Sequence, residues 1–133
     1  MSVPIPVEPL LTERDHARLS RLPHELPDPL RQLLAAAELR RSEVIPADIV
    51  TMWSRVLVHP DDDPAQEQML TLCYPLDAEP GRGFISVLSP VGSALLGRRV
   101  GDLVEWCTPL GERRQLRIAA LLFQPEASGD YTT

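Results

Sequence analysis

Residues 89–102 read Ser89-Pro90-Val91-Gly92-Ser93-Ala94-Leu95-Leu96-Gly97-Arg98-Arg99-Val100-Gly101-Asp102. Serine followed by proline starts a helix well: the hydroxyl caps a free backbone amide, and the ring pre-sets φ for the first helical position. The apolar run Val91–Leu96 then predicts a short helix, stopped at Gly97. Gly101-Asp102 turns the chain out of it, toward residues that alternate rather than recur at helical spacing.

Working outward, both flanks read as strands. Upstream, Ile49–His59 is rich in Val, Met, Trp and Leu and is followed by the turn signal Asp61-Asp62-Asp63-Pro64. Gln68–Tyr74 alternates and ends at Pro75, and Phe84–Leu88 follows the Pro80-Gly81-Arg82-Gly83 loop. Downstream come Leu103–Thr108, the turn Pro109-Leu110-Gly111-Glu112, and Arg113–Gln124. In that last strand Leu116, Ile118, Ala120 and Leu122 are expected on one face, and Arg117, Ala119 and Leu121 on the other. The tail from Pro125 to Thr133 is expected to be irregular. The sum is an α+β domain over residues 45–133: a four- or five-stranded, mostly antiparallel sheet with one short helix packed on it.

Residues 1–44 have another period. Thr12-Glu13-Arg14-Asp15 has the form of a capping box, predicting a helix over about 13–22 with Leu19 and Leu22 on one stripe. Prolines 23, 27 and 29 forbid helix, so Pro23-His24-Glu25-Leu26-Pro27 is a turn. Asp28-Pro29 restarts a helix as N-cap and first helical residue, running to about Glu43 with Leu30, Ala37 and Val44 seven apart. Two such helices pack as a short antiparallel hairpin. Its arms reach only ~15–22 Å at the α-helical rise.

Composition limits the chemistry. The chain has 133 residues, 13 basic against 19 acidic, a net charge of −6 and 14 prolines. All 13 basic residues are arginine; with no basic stripe to displace counterions, direct binding to nucleic acid is not expected. The acidic excess sits mostly after residue 43. The longest apolar runs, Leu33–Ala37 and Ile118–Phe123, are too short to span a bilayer, and the start lacks the pattern of a secretory signal. A cytoplasmic protein is expected, with Cys73 and Cys107 as unpaired buried thiols. His16, His24 and His59 have no metal-ligand spacing, and three consecutive acids at 61–63 cannot all face one ion, so neither metal nor cofactor is expected. Pro80-Gly81-Arg82-Gly83 lacks the Lys-Ser/Thr of a phosphate-binding loop.

The 89–102 stretch, with Thr108-Pro109-Leu110-Gly111-Glu112, resembles the signature of the Gre transcript-cleavage factors, whose C-terminal half is FKBP-like. Pro46-Ala47-Asp48-Ile49-Val50-Thr51-Met52-Trp53-Ser54-Arg55-Val56, the Tyr74-Pro75 ending and Gln124-Pro125-Glu126-Ala127-Ser128-Gly129-Asp130-Tyr131 resemble a subgroup of that family. It has a shortened coiled coil and is linked to control of nucleoside diphosphate kinase.

The resemblance implies a regulator that binds RNA polymerase at the secondary-channel rim, on the largest catalytic subunit, and competes there with longer-fingered Gre factors; with no long interface heptad in the sequence, a monomer is favoured. The docking residues it implies are Ser89, Pro90 and Val91, although Leu88 stands where the family has an acid. The hairpin tip would be Glu25, Leu26 and Asp28. Gre factors lend two acids three apart to polymerase's metal site; here the order is Glu-x-x-Asp, on a finger too short to reach it. No catalytic residue is therefore expected. Two other functions compete with this one. A prolyl isomerase would need more than six aromatics, since most of these are required in the core. A protein-binding adaptor acting directly on nucleoside diphosphate kinase or another partner, rather than on polymerase, is the alternative.

Overall fold

The computed structural model describes residues 9–131; the first residues, on which the reading of the chain's start rests, lie outside them. Five strands form the main sheet: β3 (Arg55–His59), β4 (Gln68–Cys73), β5 (Phe84–Ser86), β6 (Leu103–Cys107) and β7 (Arg113–Phe123), in the order β5-β4-β3-β7-β6. Their pairings are antiparallel except for β4 with β5, which run parallel because the chain crosses over between them.

The N-terminal part is built from β1 (Leu10–Thr12), α1 (Glu13–Ser20), α2 (Asp28–Ala36) and β2 (Glu38–Arg40). β1 and β2 pair in parallel as a separate two-stranded ribbon. The third helix, α3 (Pro90–Leu95), packs on β6 and on α2.

Strand β7 departs from strict alternation. Val58 faces Ile118 while Val56 faces Leu121, so three residues of β7 span two of β3. That bulge shifts the register. Leu121 therefore packs against the core and Leu122 is half exposed, the reverse of what alternation alone predicts. The strand expected from Ile49 starts only at Arg55, because Trp53 turns the chain with φ of 67°. Ile49 instead makes an isolated bridge to Arg99.

The helices are shorter than periodicity predicts. α1 ends at Ser20 and α2 at Ala36, not Glu43. Beyond α2, Glu38–Arg40 become a strand because the backbone of β1 lies alongside. The Glu38 amide donates to Pro9 O at 3.0 Å, and tertiary pairing overrides helix propensity. Val44, expected on the helical seam, is 54% exposed and ends a 3₁₀ turn.

The seam that survives does not build a free-standing coiled coil. Leu19, Leu30 and Leu33 are buried in the same apolar cluster as Val56, Val58, Leu72 and Ile118 of the sheet. α2 lies against α3, and His16 Nε2 meets Leu34 O at 2.9 Å to tie α1 to α2. Among the described residues no helix is long and apolar enough to cross a membrane.

Candidate functional site: the α3 start and its groove

α3 begins as the sequence predicts. Ser89 is its N-cap: Ser89 Oγ accepts from the Gly92 amide at 3.1 Å and donates to Ser86 O at 2.6 Å. Ser93 Oγ donates to Val87 O at 2.8 Å, which fixes the helix over the end of β5. Gly92 sits so close to that turn that a Cβ there would lie 2.1 Å from Ser86 O. Gly97 follows the helix with φ of 80°, and its amide donates to Val50 O at 2.9 Å. The start of α3 is thus over-determined. Ser89, with both hydroxyl functions engaged, holds the helix, while exposed Pro90 and half-buried Val91 present its surface.

A groove of about 820 Å³ runs beside this surface, between α2, α3 and β6. Pro90 and Ala94 line one wall, Leu33 the other, and Trp106 lies along β6. Pro27 and Pro29 line the same groove, so the turn between α1 and α2 and the start of α3 are neighbours in space. Sequence reasoning expected a short hairpin and an α+β domain but did not bring these two segments together. The signal that could have joined them is apolar: Leu30 and Leu33 form a stripe on a helix too short to satisfy it by pairing with α1.

The three tip residues separate by role. Leu26 packs against the core, whereas Glu25 and Asp28 are exposed. Asp28 is not the N-cap: Pro27 holds that position, no side chain caps the helix, and Asp28 is its first residue, ion-paired with Arg31. Asp61 is similarly engaged, accepting from Arg117 Nε at 3.0 Å and Nη2 at 2.7 Å. No group of His, Cys, Asp and Glu able to hold a metal ion occurs among the described residues. Cys73 is buried, which pushes its thiol pKa up; Cys107, expected buried, is exposed on β6.

A second polar cluster escaped sequence reasoning, although Thr12-x-x-Asp15 marked its edge. Thr12 Oγ1 accepts from the Asp15 amide at 2.9 Å, one half of a capping box. The other half is not made in that form: the Asp15 carboxylate turns inward and accepts from the Met52 amide at 3.1 Å. Next to it Thr51 Oγ1 donates to Glu126 Oε1 at 2.6 Å and meets Ser54 Oγ at 2.9 Å. Gln124 Nε2 donates to Pro46 O at 2.9 Å and Ile49 O at 2.7 Å. The 46–56 and 124–131 stretches are therefore two sides of one clamp, which closes on α1.

This architecture is that of a transcription elongation factor's C-terminal domain: the family described as "Transcription elongation factor, GreA/GreB, C-term" matches residues 45–122, and the chain belongs to it. Within that family it is similar to the regulator of nucleoside diphosphate kinase of Escherichia coli (strain K12). The two are 41% identical over 104 residues, 78% of this chain and 76% of that protein. The solved "Prokaryotic transcription elongation factor GreA/GreB" from Nitrosomonas europaea superposes with a TM-score of 0.73 at 38% identity. That match covers 89% of this chain and all of that one, so the likeness includes most of the helical part as well as the sheet. GreA of Solidesulfovibrio magneticus is 40% identical over 70 residues, 53% of this chain but only 43% of that protein.

Proposed function

We propose that the protein is a regulator of transcription that docks on RNA polymerase at the rim of the secondary channel and competes there with Gre factors, without stimulating RNA cleavage. The observation that carries this reading is the burial of the helical part. α1 and α2 have 8 and 9 residues, about 12 and 14 Å long, and their apolar residues belong to the sheet's core. Glu25 and Asp28 stay beside the groove instead of being carried away on a long finger. A carboxylate must lie within a few tenths of an ångström of its place to hold a metal ion. An acid held at the domain surface cannot do that at a distant catalytic centre.

Docking falls to the exposed face at the start of α3, Pro90 and Val91 with Ser89 holding them in place, and to the apolar groove beside it. Family membership and the likeness to a named regulator support this assignment. The surface is small, so the contact is expected to be weak.

The test uses Pro90→Glu. A glutamate at a first helical position suits the helix dipole and leaves the Ser89 cap intact, so the fold survives. Binding to core polymerase, and competition with a Gre factor, should fall at least tenfold; undiminished binding overturns the docking assignment. Added to a backtracked elongation complex, the wild-type protein should yield no shortened RNA. The name of the Escherichia coli relative favours a second reading, direct action on nucleoside diphosphate kinase. Recovery of that kinase but not polymerase on the immobilised protein would favour it.

A further inference from the structure

Asp15 is 2% exposed, and its carboxylate reaches inward to accept from the Met52 amide at 3.1 Å. It lies on the helix least able to stand alone. α1 has eight residues, well short of independent stability, and just two of them, Leu19 and Asp15, are fully buried. One of the two fully buried residues of α1 is thus an ionisable group. We propose that the Asp15 carboxyl is a proton-operated latch that sets how firmly α1 is held on the 50–54 loop, with the protonated form closing it.

The surroundings fix the sign. Glu126, from the C-terminal turn, adds like charge. Arg18, one turn along α1, opposes it but does not outweigh burial. Arg14 and Tyr74 lie on that side too, and burial pushes the Tyr74 hydroxyl up to about 12, so it stays neutral throughout. β2, which also packs on α1, brings Glu38 and Arg40, paired with each other at 2.7 Å. His16 faces the other way, to Leu34 O. β1 and the 50–54 loop contribute Thr12, Thr51, Ser54 and the Met52 amide, all uncharged.

Burial, reinforced by Glu126, raises the Asp15 pKa from 3.8 to about 6. The closed state therefore binds the proton more tightly than an open state with Asp15 in water. Closure is firmest in acid and weakens as pH climbs from about 4 to about 6, levelling off above that. Near neutral pH the latch is on its loose side, and α1 opens as a unit below the free energy of global unfolding. This holds whether or not the protein binds polymerase.

Amide hydrogen exchange read by NMR on the full chain tests it. After correction for intrinsic rates, α1 should be less protected than β3 and β7 at pH 7.5. Its protection should rise roughly 30-fold at pH 4.5. Asp15→Asn keeps an acceptor for the Met52 amide and should flatten that dependence; an undiminished slope overturns the proposal, as does α1 protection equal to that of the sheet. Glu126→Gln leaves Asp15 in place and should move the midpoint to lower pH. It decides the matter if the first variant does not fold, and an unmoved midpoint refutes the latch.

Discussion

The sheet and the helical part obey different rules. In residues 45–131 the strands meet along a ladder, and the bounds of β4 and β6 follow from local signals (prolines, glycines and alternation), whereas β3 starts late, after the Trp53 turn. β4 covers Gln68–Cys73 and β6 covers Leu103–Cys107, within one residue of what those signals predict. In residues 9–44 the elements end where neighbours intervene. α2 stops at Ala36 although Ala37-Glu38-Leu39 could continue it, because β1 lies ready to pair. A short amphipathic helix is defined by the surface it covers, and its sequence alone overstates its length.

The contrast is tested most severely through Leu30, which is fully buried where α2 meets the shared core. Leu30→Ala should cost about 2–5 kcal/mol. If the helical part leans on the sheet as described, Trp53 and Trp106 fluorescence should report one shifted urea transition. A separate early transition confined to the helical part would show the two regions to be independent. Gly92→Ala probes the sheet side: its Cβ would collide with the Ser86 carbonyl, so α3 must shift, at about 1–3 kcal/mol in the same titration. Ser89→Ala removes the cap of α3 and should cost about 1 kcal/mol. Asp28→Ala should change stability by no more than about 0.5 kcal/mol, since its pair with Arg31 is exposed. A larger loss there would restore a structural role to the tip acid.

Much of the α3 start was legible in the sequence because it is local: Ser89 caps, Pro90 begins and Gly97 ends one helix within nine residues. The groove and the clamp were not, since they join segments far apart in the chain. Asp15 meets Met52, Thr51 meets Glu126, and Pro27 lines the same groove as Pro90. The Thr12-x-x-Asp15 pattern announced a helix start correctly but hid its second meaning. A carboxylate that could have closed the capping box is turned instead to a loop 37 residues away. The bulge in β7 had no visible marker either, and it exchanged the faces of Leu121 and Leu122.

The strand order carries a consequence for synthesis. β7, the last strand among the described residues, lies between β3 and β6. A nascent chain that has emerged only as far as β6 therefore displays β3 with one open edge, and β6 has no neighbour to pair with. The sheet closes, and the helices gain the core they rest on, only after Phe123 has left the ribosome. Whatever guards the growing polypeptide must shield that edge until β7 has emerged.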